Sequence, residues 1–228
     1  MRIKKTYLST RPSARAFWVA LWSAMLLALV SLIYWDDVPG LASFLPATRA
    51  QIFTRHEYWR LLTTVAVHAD FKHLGSNLVL FGILSFILNA YFGLWIFPLL
   101  TLLLSSATNF VALLTYSADV TLIGASGAVY VMAGFWLAMY MGIERGHSVA
   151  NRLIRCVGFT LILLIPEAFE PVVSYRTHAI GFGFGVLAAI PYYFWNRARF
   201  RMAEVVVPDE PDDPTDKIES RYHPAETH

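Results

Sequence analysis

At 228 residues, 57% of them hydrophobic and only 15% charged, the chain departs from the pattern of a soluble domain, which carries about 25% charge and about 45–50% apolar residues. Its mean hydropathy of +0.51 puts it among membrane proteins, and a net charge of +2 with no long basic run argues against a nucleic-acid partner. The single cysteine, Cys156, rules out an intrachain disulfide and a cysteine-built zinc site.

The elements follow in chain order. Residues 1–15 form a basic tail holding Arg2, Lys4, Lys5, Arg11 and Arg15. The apolar run 16–35 exits into Trp35-Asp36-Asp37 and is too long for the core of a cleaved signal peptide, so it reads as a retained first span. A long loop, 36–72, carries Phe53, Tyr58, Trp59 and Phe71 and is expected to lie partly in the outer leaflet. Crossing the hydrocarbon core takes about 20 apolar residues in a helix. Further spans are expected at 73–92, 94–115, 126–141, 153–166 (ending near Pro166) and 178–195. The fold class is therefore an all-α membrane protein, a bundle of six transmembrane helices.

Charge orients the bundle. With the N-terminus inside, Arg145, Arg152, Arg155, Arg197, Arg199 and Arg201 join the five N-terminal basic residues on the cytoplasmic side. Only Arg49, Arg55, Arg60, Lys72 and Arg176 fall outside, so both termini are expected to be cytoplasmic. From Glu204 onward, prolines interleave with acidic residues in a composition that cannot bury a core. The tail, 197–228, is expected to be disordered.

Polar side chains at membrane depth are costly and mark function by default. Four stand out here: His73, Asn77, Ser126 and His178. In Gly124-Ala125-Ser126-Gly127, small neighbours leave the hydroxyl approachable at a helix start, where unpaired N–H groups favour a developing oxyanion. Serine is a poor nucleophile without a base, and His178 is the candidate. Gly181 and Gly185, four apart, let a neighbouring backbone come close enough to bring His178 towards Ser126. Tyr130, one turn beyond Ser126, is placed to pack on the imidazole. His73 and Asn77, spaced i, i+4, share one helix face and supply two donors suited to an oxyanion hole. Zinc bound by His68, His73 and His178 is the weaker alternative, because no acidic residue shares their spans and Glu57 lies in the loop.

Taken together, His73-x-x-x-Asn77, Gly124-Ala125-Ser126-Gly127 and His178-x-x-Gly181 resemble the rhomboid family of intramembrane serine proteases, in its minimal six-span form. The resemblance covers about residues 16–196. It implies a Ser126 nucleophile and a His178 base without an aspartate, with His73 and Asn77 binding the oxyanion and Tyr130 stacking on the histidine. Gly124, Gly127, Gly181 and Gly185 would support that site. Glu57-x-Trp59-Arg60 is similar to the family's first-loop motif, which helps fix the loop. Thr177 stands where many members have alanine, and Val131 where glycine is common; both changes touch packing rather than chemistry.

The resemblance also implies transmembrane protein substrates, the lipid bilayer as setting, a bacterial inner membrane as location, and no metal or cofactor. A sortase-like rhomboid that processes C-terminal anchors would use the same dyad. An inactive membrane-protein chaperone of the family would typically lack the serine or the base, and both are present. A transporter would be expected to carry an internal repeat and a pair of interrupted spans in matching positions, and the sequence shows neither.

Overall fold

The computed structural model describes residues 2–164 and 174–208. Four of its helical stretches are long and apolar enough to cross a membrane: α1 (Ala14–Trp35), α4 (Phe71–Phe92), Trp95–Thr115 and α6 (Ser126–Ile143). A helix of 22 residues spans about 33 Å, sufficient for the hydrocarbon core. These helices, with the matched composition, make the chain a multi-pass all-α membrane protein.

Burial ranks the helices. The most apolar window of α6 is 67% buried, that of α1 only 22%. The sequence of α6 is apolar all round, as suits a helix enclosed by others. On α1, by contrast, Phe17, Trp18, Trp22 and Leu26 are exposed, the pattern of a helix at the rim. The third stretch is not one continuous helix. Phe97, which precedes Pro98, leaves helical geometry at φ −127° and ψ 122°, because proline disfavours the helical region for its predecessor. A wide turn, Trp95–Leu100, therefore leads into α5 (Thr101–Thr115). The Asn89 side-chain amide donates to the Phe97 carbonyl at 2.9 Å and satisfies the acceptor that the break releases.

Two further long helices follow among the described residues. α7 (Val149–Leu164) has sixteen residues with Arg152 and Arg155 in its first turns; residues 165 and 166 of the expected fifth span lie outside the described residues. α8 (Tyr175–Met202) is longer and ends among Arg197, Arg199 and Arg201. It packs along α6 with almost no spacing. A Cβ added at Gly185 would sit 2.1 Å from the Val131 carbonyl oxygen, one at Gly181 2.7 Å from that of Gly127, and one at Gly134 2.2 Å from that of Phe182.

The expectation of a disordered tail from residue 197 needs correction. α8 continues through Met202, and Val205–Val207 (β4) pairs antiparallel with Arg2–Lys5 (β1). Around this ribbon Arg145 bridges Glu204 at 3.1 Å and the Thr6 hydroxyl donates to the Glu144 carboxylate at 2.8 Å. Those cross-chain partners order a segment whose own composition would not. Residues 209–228 of the tail lie outside the described residues.

The long first loop is also built rather than slack. It contains β2 (Ala47–Thr48), α2 (Arg49–Phe53) and α3 (Arg60–Thr63), and β2 pairs with β3 (Thr121–Leu122), just ahead of α6. Arg60, 4% exposed, holds it together. Its Nε meets the Glu57 carboxylate at 2.5 Å, while one terminal nitrogen donates to the carbonyls of Ser43 and Pro46 at 2.7 and 3.0 Å. Tyr58 and Trp59 stay exposed on the loop surface, whereas Phe53 packs on Phe110 of α5. Arg60→Leu strips two loop carbonyls of their donor and leaves Glu57 without its cation. Breaking a buried pair by removing one partner costs about 3–5 kcal/mol, so thermal unfolding of this variant is expected well below the wild type. Arg60→Lys cannot reproduce the forked geometry and should recover only part of the loss; an unshifted melting point in either variant would contradict the loop's dependence on this residue.

Candidate active site

Three helix starts meet at the end of the bundle opposite the β1–β4 ribbon. Ser126 is the first residue of α6, His178 lies in the first turn of α8, and His73 in the first turn of α4. Asp70 caps α4 by accepting the His73 N–H at 2.8 Å, which fixes where the His73 side chain emerges.

Ser126 follows a tight turn. Gly124 has φ +118°, a backbone conformation that side chains rarely tolerate, and a Cβ there would fall 2.9 Å from both Cε1 and Nε2 of His73. The absent side chain is thus what lets the His73 ring lie against the residues before Ser126. Gly127 serves a different neighbour: its α-carbon faces Thr177, whose methyl would be 3.3 Å from an added Cβ.

His178 is 6% exposed and stacks on Tyr130, with ring centroids 4.3 Å apart and planes 7° from parallel. Tyr130 lies one turn beyond Ser126 on α6, so the stack brings the imidazole to the stretch of α6 that carries the serine. Gly181 and Gly185 allow it, because the α6 carbonyls occupy the space their side chains would need. Asn77, 8% exposed, turns one amide hydrogen back to the His73 carbonyl at 2.9 Å, and its second amide hydrogen remains for another acceptor. Of the candidate residues, Gly124, Ser126, Gly127, Tyr130, His178, His73 and Asn77 lie in or beside the first two turns of α4, α6 and α8, and Gly181 and Gly185 lie further along α8 against α6. Glu57, Trp59 and Arg60 stand apart, within the first loop.

Residues 55–194 match the Rhomboid domain, more than half of the chain. The chain belongs to the rhomboid family. Rhomboid proteins are serine proteases that work within membranes on transmembrane proteins, and the family also has inactive members. No curated protein matches this rhomboid chain.

Several polar contacts around the rhomboid site carried no signal in the sequence. Thr64 accepts the Gly124 N–H at its carbonyl, 3.0 Å away, and its hydroxyl donates to the Leu122 carbonyl. Thr177, Ser174 and Tyr116 bond one another through their hydroxyls, with Ser174 and Thr177 2.5 Å apart and Tyr116 and Ser174 also 2.5 Å apart. They tie the start of α8 to the end of α5. His68, fully buried in the first loop, accepts the Ala125 N–H at Nε2, 3.2 Å away.

Burial, then the neighbouring His73, holds His68 down at about 4 against an ordinary 6.5. The unfolded chain therefore takes up a proton at a higher pH than the folded one. The contribution is complete above about 6.5 and is lost as pH falls towards about 4, up to ~3 kcal/mol over that window. Urea unfolding in detergent should lose stability across that window in wild type and lose less in His68→Gln; equal slopes in the two proteins would contradict it.

Proposed function

We propose that this chain is an active intramembrane serine endopeptidase that cleaves transmembrane or membrane-proximal segments of other proteins through a dyad of Ser126 and His178. The stack of Tyr130 on His178 carries this reading, because it fixes a buried imidazole one helical turn from the serine. In the proposed reaction His178 takes the Ser126 proton as Oγ attacks the scissile carbonyl. The tetrahedral oxyanion is held by the Ser126 N–H at the start of α6, with His73 and Asn77 as further donors. His178 then passes its proton to the leaving amine, and water, admitted at this end of the bundle, hydrolyses the acyl ester by the same steps in reverse.

The proposed catalytic unit spans 16–196 and crosses the bilayer six times, with α7 and α8 completing the count. The distribution of arginine and lysine supports both termini in the cytoplasm. Ser126 then faces the outer side, and the first loop, with Tyr58 and Trp59 exposed, lies at the outer leaflet.

The test is cleavage of a reporter with a single transmembrane segment in proteoliposomes. Removing one oxyanion donor typically costs ~10²–10³ in kcat. Asn77→Ala is therefore expected to lower kcat by that factor with KM little changed, and His73→Ala to do at least as much. A raised KM at constant kcat would mean that these side chains hold substrate instead. No cleavage by wild type of any such reporter would favour an inactive family member.

A further inference from the structure

The segment before Ser126 is tied to the first loop at Leu122, Gly124 and Ala125. Leu122 pairs with Ala47 and accepts the Thr64 hydroxyl, the Gly124 N–H goes to the Thr64 carbonyl, and the Ala125 N–H goes to His68 Nε2 at 3.2 Å. The last of these differs from the others in that a side chain is the acceptor. It also lies nearest the serine, since Ala125 is the residue immediately before it.

An amide can only donate, so Nε2 of His68 must present its lone pair, and the proton of the neutral ring sits on Nδ1. Nδ1 in turn lies 3.0 Å from the Ser31 hydroxyl, which donates to the Ala66 carbonyl at 3.1 Å. The His68 carbonyl accepts the Trp35 indole N–H at 2.7 Å. Ser31 and Trp35 belong to α1, so His68 links the rim helix to the turn that carries Ser126. The ring packs edge-on against His73 at 5.1 Å, the same His73 that lies against Gly124. No other side chain among the described residues reaches the Ala125 N–H in this way.

We propose that His68 is a positioning residue for the peptidase reaction, fixing the Ala125–Ser126 peptide so that the serine hydroxyl and N–H keep their directions. The proposal rests on the protease reading above, and it assigns His68 no contact with substrate. Held by one side-chain acceptor, the turn can tilt when that acceptor is lost, although Thr64 still anchors it one residue earlier. A misplacement of ~1 Å at a reacting group can cost ~10²-fold in rate.

The experiment compares full-length wild type with His68→Leu, which fills similar space but accepts nothing, and His68→Gln, whose side-chain oxygen can take the Ala125 N–H. His68→Leu is expected to lower kcat by ~10- to ~10²-fold with KM within about twofold, and His68→Gln to return to within a few-fold of wild type. Hydrogen exchange at the Ala125 amide should be faster in His68→Leu and near wild type in His68→Gln. If His68→Leu does not fold, Ser31→Ala, which removes the Nδ1 partner, is expected to give an intermediate fall in kcat at unchanged KM. Full kcat in a folded His68→Leu, or equal losses in the Leu and Gln variants, overturns the proposal. Should wild type fail to react with a serine-directed fluorophosphonate, the protease reading falls by itself. The exchange measurement would still decide the tie: unchanged exchange in His68→Leu overturns it and faster exchange upholds it.

Discussion

Ser126→Ala and His178→Ala should each abolish reporter cleavage, and the double variant should be no slower than either alone. Groups that act as one unit fail together, and their losses are grossly non-additive. The serine is a weak nucleophile without its base, and the base has no other proton to take. Reductions of several orders of magnitude are expected, because a complete dyad provides most of the difference from water. Folding should survive both changes: each removes atoms at a helix start, and the Tyr130 stack is lost only in the second. Cleavage measured at high enzyme concentration, beside thermal unfolding of each variant, checks this. Near-normal turnover in a folded His178→Ala protein would contradict the assignment of the base.

Much of this site was legible in the sequence for one physical reason. A serine, two histidines and an asparagine stand out inside apolar runs, where each polar group must be justified. Tyr130 was legible from its offset of one turn from Ser126, and Gly181 and Gly185 from spacing that clears one helix face. What escaped notice lies where polarity is ordinary. His68, Thr64 and Ser31 sit in or beside a polar loop, and their partners are distant in the chain; Ala125 is 57 residues from His68. No periodicity carries such a contact. His68 was visible only as one member of a weak zinc alternative. The burial of Arg60 was likewise hidden, since a charged loop residue is more often solvated, and only the resemblance singled it out.

Four of the expected spans have their counterparts in helices long and apolar enough to cross a membrane, while the interruptions were not legible. α1, α4 and α6 begin and end close to the limits of their apolar runs. Pro98 breaks the third run because of its predecessor's backbone, a local restriction that hydropathy does not register. The ribbon of Arg2–Lys5 with Val205–Val207 was missed because three valines among prolines and acids give no strand signal alone. Only their pairing across the whole chain orders them.

Gly185→Ala should be among the most damaging single-methyl additions in the protein. The new Cβ would fall 2.1 Å from the Val131 carbonyl oxygen and 2.7 Å from the Phe135 nitrogen, both backbone atoms of the most buried helix. Neither can rotate aside, so α6 and α8 must separate. Overpacking of this kind costs about 1–3 kcal/mol and sometimes more. The same displacement shifts His178 relative to Ser126, with a loss of ~10²-fold in turnover for ~1 Å. Gly183→Ala is the control on the same helix, since nothing lies within 4 Å of its added Cβ. That change should leave turnover intact and, by helix propensity, raise stability by up to ~1 kcal/mol. Thermal unfolding and turnover of the two variants, measured side by side, separate close packing from a general sensitivity of the helix. Equal behaviour of the two would show that the α6–α8 approach does not set the site.

The most direct test of an activated serine needs no substrate. Full-length protein in detergent or bilayer is treated with a serine-directed fluorophosphonate and digested, and the modified peptide is identified. A single adduct on Ser126 is expected, formed quickly in wild type, slowly in Asn77→Ala and not at all in His178→Ala. An adduct on another serine, or equal labelling with and without His178, would contradict it.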